Sequence, residues 1–331
     1  MRAKELKTEL KNLVTNKIPV FIWGSPGIGK SSIVRDLAKE LEFEFIDLRL
    51  TLMDPTDLKG IPFFDAQKKE AIWAKPNFLP SDEESKGILF LDEINSAPPS
   101  VQASAYQLIL DRRVGDYELP KGWSIVAAGN NESDRGVVYR MPSPLANRFV
   151  HIDMEVSFDD WKSWAYQKGV DSSIIAFLNY KQDMLFNFDP NSNQKAFASP
   201  RSWEYVDKIL KSNPSQNSLS ELISGAVGER EAMEFLGFKK VLHRLPDIKD
   251  IFEEKDIKID DDPEVLFALI SSLISHLKKD PSQKNIVTLI KFSHSLPSEF
   301  AVMLIKDMQE SFDIQNSKEW DNWVERFSYL L

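Results

Sequence analysis

The sequence predicts an α/β layered domain over residues 1–155, followed by a chain that is helical to its end. Two observations carry this. Five short apolar runs have the length and the β-branched or aromatic character of strands buried in a parallel sheet. They are PVFIW (19–23), FEFIDL (43–48), ILFLD (88–92), SIVAA (124–128) and FVHIDM (149–154). Helical patterns lie between them, at 30–41 after the first run and 98–110 after the third, and such alternation layers helices on a sheet.

The elements follow in order. Leu6, Leu10 and Leu13 recur at helical spacing among Lys and Glu, which predicts an amphipathic first helix. Two insertions interrupt the alternation. Residues 60–76 read as a β-hairpin with its tip at Gln67–Lys69, made basic by Lys68 and Lys69, and residues 110–119 read as a second hairpin turning at Gly115-Asp116. The ordinary reading of both is surface decoration. Beyond 155, helices are expected at 158–168, 172–186, 200–212, 218–237, 263–278, 284–294, 297–312 and 318–330, punctuated by prolines. Trp161, Trp164, Trp203, Trp320 and Trp323 fall within these patterns and read as packing residues.

Composition narrows the function classes. The chain has 331 residues, and its length sets a prior of two or three domains. It has no cysteine, which excludes thiol nucleophiles and thiolate metal sites, and its four histidines lack ligand spacing. No run approaches the length of a membrane span, and the charged N-terminus has no signal-peptide core, so a cytoplasmic protein is expected. A net charge of -10 argues against whole-surface affinity for nucleic acid.

Residues 24–31, G-S-P-G-I-G-K-S, fit G-x-x-x-x-G-K-[ST] between an apolar strand and a helix. Glycines let backbone amides close around a polyanion, and the helix N-terminus turns free N–H groups and a positive dipole end toward it. Gly24, Ser25, Pro26, Gly27, Ile28, Gly29, Lys30, Ser31 and Ser32 therefore form the expected nucleotide cradle, with Lys30 reaching the β- and γ-phosphates and the Ser31 hydroxyl ligating Mg²⁺. The run I-L-F-L-D-E (88–93) ends in two carboxylates that a sheet interior would not tolerate, and places them beside the phosphate loop of the neighbouring strand. Asp92 suits Mg²⁺ through a water, and Glu93 suits activation of the attacking water. The fourth strand runs into Gly129-Asn130-Asn131, where Asn130, with Asn131 as the alternative, would orient that water. No residue distinguishes adenine from guanine.

Together, G-S-P-G-I-G-K-S, L-F-L-D-E-I-N-S-A-P-P-S-V-Q, A-A-G-N-N, P-L-A-N-R-F and S-P-R-S-W resemble a MoxR-type AAA+ ATPase of the helix-2-insert clade. The resemblance implies a P-loop core with two β-hairpin insertions (1–155), a helical lid (156–245) and a helical C-terminal extension (246–331). It implies ATP and Mg²⁺ as ligands and a ring of like subunits, of which a hexamer is the expected form. Both hairpins would then face the pore or a partner. Arg148, in N-R-F, matches the arginine finger that reaches a neighbour's γ-phosphate, with Arg140 as a nearby alternative, and such a guanidinium stabilises charge on the transferring phosphate. Arg201 matches the second-sensor arginine at the start of a lid helix, where Ser199 suits the N-cap and Pro200 the first helical position. One departure stands out: this chain reads A-A-G-N-N where many members read T-Q-N-P.

The expected activity is therefore ATP hydrolysis that remodels a protein partner, a von Willebrand factor A-type domain being the first choice by resemblance. The rivals are a slow nucleotide-gated scaffold and a nucleic-acid motor, the second disfavoured by the acidic charge.

Overall fold

A computed structural model describes residues 1–67, 69–134, 139, 141–315 and 317–327. Lys68 at the first hairpin tip and Arg140 lie outside the described residues. The chain divides into two compact units: Met1–Ser157 with Asp189–Ser192, and Phe158–Phe188 with Asn193–Leu331.

The first unit begins with α1 (Ala3–Thr15), β1 (Val20–Trp23), α2 (Lys30–Glu40) and β2 (Glu44–Arg49). The buried face of α1 is Leu6, Leu10 and Val14. That is a strict i, i+4, i+8 stripe, and it leaves Leu13, the expected third member, half-buried on the flank. Each fully buried side chain of this kind contributes roughly 1.5–3 kcal/mol. The short α3 (Pro55–Lys59) leads into the first hairpin, β3 (Ile61–Asp65) and β4 (Glu70–Ala74). Then come β5 (Gly87–Asp92), α4 (Pro99–Asp111), the second hairpin β6 (Arg113–Val114) and β7 (Tyr117–Glu118), β8 (Trp123–Gly129), α5 (Ser143–Ala146) and β9 (Val150–Asp153). The expected strands and both hairpins are present.

The large sheet is five-stranded in the order β2-β5-β8-β1-β9, and all its pairings are parallel. Its centre is apolar because both faces are covered: β8 is buried along its whole length, and Phe21, Ile22, Leu89, Phe90 and Leu91 are fully buried. The order corrects one expectation. β5 is not the neighbour of the phosphate-loop strand β1, because β8 lies between them.

The two hairpins are tied together. The Trp73 backbone N–H donates to the Asp116 carboxylate at the turn of the second hairpin (3.2 Å). Ile61, Phe63 and Phe64 of the first hairpin are exposed.

The second unit contains α6 (Phe158–Lys168), α7 (Ser172–Tyr180), α8 (Pro200–Lys211), α9 (Gln216–Val227), α10 (Glu229–Lys239), α11 (Ile248–Phe252), α12 (Pro263–Lys279), α13 (Gln283–Ser293), α14 (Ser298–Gln309) and α15 (Lys318–Phe327). Two helices expected as continuous are broken. The 172–186 stretch ends as α7 at Tyr180 and resumes as a 3₁₀ turn, Gln182–Leu185. The 218–237 stretch splits into α9 and α10 at Gly228, whose φ of 97° no helix accepts. The tryptophans are packing residues. Trp203 is fully buried against Phe177 and Phe235, and its Nε1 donates to the Met184 carbonyl. Trp323 stacks on Trp320 and Phe327. Among the described residues no helix is long and apolar enough to cross a membrane.

This unit also buries an ion pair. Lys162 Nζ donates to Asp307 Oδ1 (2.6 Å), and the Tyr166 hydroxyl donates to Oδ2 (3.4 Å). Burial pushes the Asp307 carboxyl above its ordinary range, opposed by Lys162. Desolvation of such a pair cancels much of its Coulomb energy, whereas removing one partner strands a charge. Asp307→Ala is expected to lower the unfolding free energy by about 3–5 kcal/mol, whereas Lys162→Met combined with Asp307→Leu costs far less. Urea unfolding of the two variants checks this.

Candidate active site

The strands β5, β8 and β1 are consecutive in the sheet, so the residues that follow them gather at one edge. After β1, residues 24–29 lead into α2, whose N-cap is Gly29 at φ 103° and ψ 15°. A residue with a Cβ would be strained there, yet no heavy atom lies within 4 Å of the position a Cβ would take. Glycine is thus required by conformation, and the space in front of it is open. No side chain caps α2 and its first turn holds no acidic residue, so its leading N–H groups and positive dipole end are uncompensated. Gly24, Gly27 and Ile28 are buried, Ser25, Pro26 and Ser31 are half-buried, and Ser32 is exposed. The Ser25 hydroxyl donates to the Asp134 carboxylate (3.2 Å).

Lys30 is 9% exposed. Its ammonium donates to the carbonyls of Gly24 (2.5 Å) and Ser25 (3.0 Å) and to Asn130 Oδ1 (3.1 Å). The side-chain amide that meets Lys30 is therefore that of Asn130, while the Asn131 backbone N–H donates to Asp134 (3.1 Å).

At the end of β5, Asp92 accepts the Glu93 backbone N–H on Oδ1 (3.0 Å). Burial raises the Asp92 pKa, and the nearby carboxylates of Asp47 and Glu93 raise it further. Lys30 and that N–H oppose the rise. Glu93 stands at φ 56°, in the left-handed region, and opens a short 3₁₀ turn, Ile94–Ser96. Its Oε2 accepts the Thr51 hydroxyl (2.8 Å), just beyond the end of β2. Beside it, Asn95 is 1% exposed and donates Nδ2 to the Asn130 carbonyl (2.8 Å).

Arg148 lies in the turn after α5, exposed and without an ion pair to any described residue. Next to it, His151 accepts the Trp23 indole N–H on Nδ1 (2.9 Å), which leaves Nε2 to donate to the Ala146 carbonyl (2.8 Å). His151 thus fastens α5 to β1. Arg201 belongs to the helical unit. It is exposed in the first turn of α8, behind a reciprocal Ser199–Ser202 capping box.

The structure thus gathers Lys30, Asp92, Glu93 and Asn130 at one sheet edge. Three further residues join them without having been expected. Asn95 lies inside the same L-D-E-I-N run, two residues past Glu93, so its position was a usable signal. Thr51 and Asp134 carry no local motif.

With this geometry in view, residues 19–151 match the family model described as the ATPase family associated with various cellular activities (AAA). The match begins one residue before β1 and ends inside β9, so it takes in every element of the site in this unit. The match covers about two fifths of the chain, and over that segment the sequence is similar to the AAA ATPase family. Among solved structures, a candidate ATPase from Cytophaga hutchinsonii aligns at 17% identity over 80% of this chain and 79% of its own, with a TM-score of 0.38. A point mutant of Thermotoga maritima RuvB aligns at 15% identity over 86% of this chain and 85% of its own, with a TM-score of 0.40. These are loose likenesses of architecture and carry no functional information.

The donors present suit a magnesium-bound nucleotide. Among the described residues no group of three or more His, Asp or Glu side chains forms a metal cage. Mg²⁺ characteristically takes one or two protein oxygens and completes its shell with phosphates and water, and Ser31 and Asp92 are oxygen donors of that kind.

Neutralising Asp92 removes a carboxylate whose charged form the fold disfavours. Without nucleotide, Asp92→Asn is expected to be more stable than the wild type by about 1 kcal/mol at neutral pH. The gap closes as pH falls, because the wild-type carboxyl takes up its proton at a higher pH in the folded than in the unfolded state. Thermal melts across a pH series test the sign.

Proposed function

We propose that this chain is a Mg²⁺-dependent ATPase of the MoxR type that works as a ring of like subunits, a hexamer in its expected form, and remodels a protein partner. The carrying observation is the Lys30 ammonium, nearly buried and held by Gly24, Ser25 and Asn130 at the open mouth of a helix N-terminus. An ammonium held among oxygen acceptors, beside helix N–H groups that no side chain caps, is arranged for a polyphosphate.

In this reading the N–H groups of residues 24–32 and Lys30 hold the phosphates, and Ser31 and Asp92 hold Mg²⁺. The metal supplies charge neutralisation on the β- and γ-phosphates. Glu93 takes the proton of the attacking water, which Asn130 orients. Arg148, exposed and without an ion pair among the described residues, serves the site of a neighbouring subunit. Arg201 acts from the helical lid, 156–245, which the extension 246–331 follows. Departure of the γ-phosphate removes the charge that both arginines engage, so lid and neighbour are free to shift. The partner is a protein, a von Willebrand factor A-type domain being the first candidate, and the setting is the cytoplasm.

Glu93→Gln is expected to bind ATP with little change while hydrolysis falls by on the order of a hundredfold or more. Unchanged turnover removes Glu93 from the mechanism. The same variant, loaded with ATP, should retain the partner in a pull-down.

A shared site has its own signature. Arg148→Ala and Lys30→Ala preparations, each inactive, should recover part of the activity when mixed, and specific activity should rise with protein concentration. Monomeric, concentration-independent turnover argues against the ring.

A further inference from the structure

The end of β8 leads into residues 130–134, and Asn95 touches both Asn130 there and Tyr139 further along the chain. Its Nδ2 donates to the Asn130 carbonyl (2.8 Å), and its own backbone carbonyl accepts the Tyr139 N–H (2.7 Å). The described segment 130–134 holds Asn130, which meets Lys30, and Asp134, which meets Ser25. Asn95 itself sits in the 3₁₀ turn that Glu93 opens, where the Ser96 N–H closes back on the Glu93 carbonyl (2.9 Å).

Its environment is unusually tight. Asn95 is 1% exposed, and its Oδ1 has no hydrogen-bond partner among the described residues. A Cβ on Gly129 would stand 2.3 Å from that oxygen and 2.8 Å from the Phe21 ring. Burying an amide with one of its polar atoms unmatched is costly, and a small apolar residue would fill the same place without that cost. The geometry is therefore better explained by position than by stability.

We propose that Asn95 is a positioning residue for hydrolysis: it couples the turn that bears Glu93 to the loop that bears Asn130, so that base and water-orienting amide move as one unit. This rests on the proposed ATPase reading of the same site. Asn95 meets neither nucleotide nor water in this role. It acts through Asn130, whose backbone it holds while the side chain is left for Lys30 or for the water. Small displacements of aligned groups are expensive in rate, on the order of a hundredfold for about 1 Å.

The test is a double-mutant cycle on the full-length protein. Asn95→Ala removes one hydrogen bond and one unmatched buried acceptor together, so its melting temperature should stay close to that of the wild type. Its kcat should fall between about tenfold and a hundredfold, with KM for ATP and the directly measured affinity for a fluorescent ATP analogue within about twofold of the wild type. In an Asn130→Ala background the same substitution should cost little more, because the residue it positions is already gone. Asn95→Ser provides the same comparison should the alanine variant fold poorly. Asn95→Asp adds a pH readout: the buried carboxyl donates to the Asn130 carbonyl only when protonated, so its activity relative to the wild type should rise toward acid pH.

Full activity of Asn95→Ala, or losses that add fully to those of Asn130→Ala, overturns the inference. A drop in nucleotide affinity equal to the drop in kcat/KM also overturns it, by making Asn95 a binding residue. If the wild type binds ATP but does not turn it over, the functional reading itself has failed, which is a distinguishable result.

Discussion

A nearly buried ammonium governs the sheet edge of the first unit where Lys30, Asp92, Glu93 and Asn130 gather. A charge at that depth is tolerated only if its hydrogen-bonding capacity is met. Lys30 meets it with two carbonyls from its own loop and one side-chain oxygen from the end of β8. These contacts hold the carbonyls of Gly24 and Ser25 and the side chain of Asn130 together at the start of α2. The sheet order makes this possible. With β8 between β1 and β5, a single residue past the end of β8 reaches the phosphate loop with its side chain while its backbone reaches the acidic turn. Were β1 and β5 neighbours, no strand end would lie between loop and acids to join them.

The acidic turn answers a second constraint. Asp92 and Glu93 are adjacent in sequence, and Asp47 on the neighbouring strand adds a third carboxylate whose field reaches Asp92. The turn separates them. Glu93 adopts the left-handed conformation, which swings its side chain to the Thr51 hydroxyl, while its N–H remains on Asp92. Left-handed backbone on a residue with a Cβ is uncommon and concentrates at functional sites. Here it gives two neighbouring carboxylates different surroundings: one near Lys30, the other held by a hydroxyl just beyond the end of β2.

Much of this was legible in the residues, for identifiable reasons. The strands announced themselves because a sheet covered on both faces needs runs such as ILFL and SIVAA, and short apolar runs between helical patterns have few other readings. The phosphate loop was legible because its constraints are local: glycine where φ is positive, lysine at the helix start. Gly115-Asp116 marked the second hairpin for the same reason. What escaped notice was set by contacts distant in sequence. Thr51 reaches Glu93 across two adjacent strands, and Asp134 reaches Ser25 across more than a hundred residues. Neither pairing leaves a trace in spacing. The order of the central strands was likewise invisible, because β1, β5 and β8 are equally apolar and differ only in where the chain takes them. The break at Lys181 has no residue that demands it, whereas Gly228 does demand the break between α9 and α10.

At the end of β8, where the chain reads A-A-G-N-N, the last strand position is packed against Asn95. Gly129 is glycine because the Asn95 amide and the Phe21 ring occupy the space a side chain would need. The small residue lets the acidic turn close onto the strand end, so its absence of bulk is what brings the Asn95 Nδ2 within reach of the Asn130 carbonyl. Gly129, Asn95 and Phe21 are packed together at this strand end: a side chain at 129 would require the Asn95 amide and the Phe21 ring to shift. Reach across the strand end, rather than the identity of the residues flanking Asn130, is what this arrangement preserves.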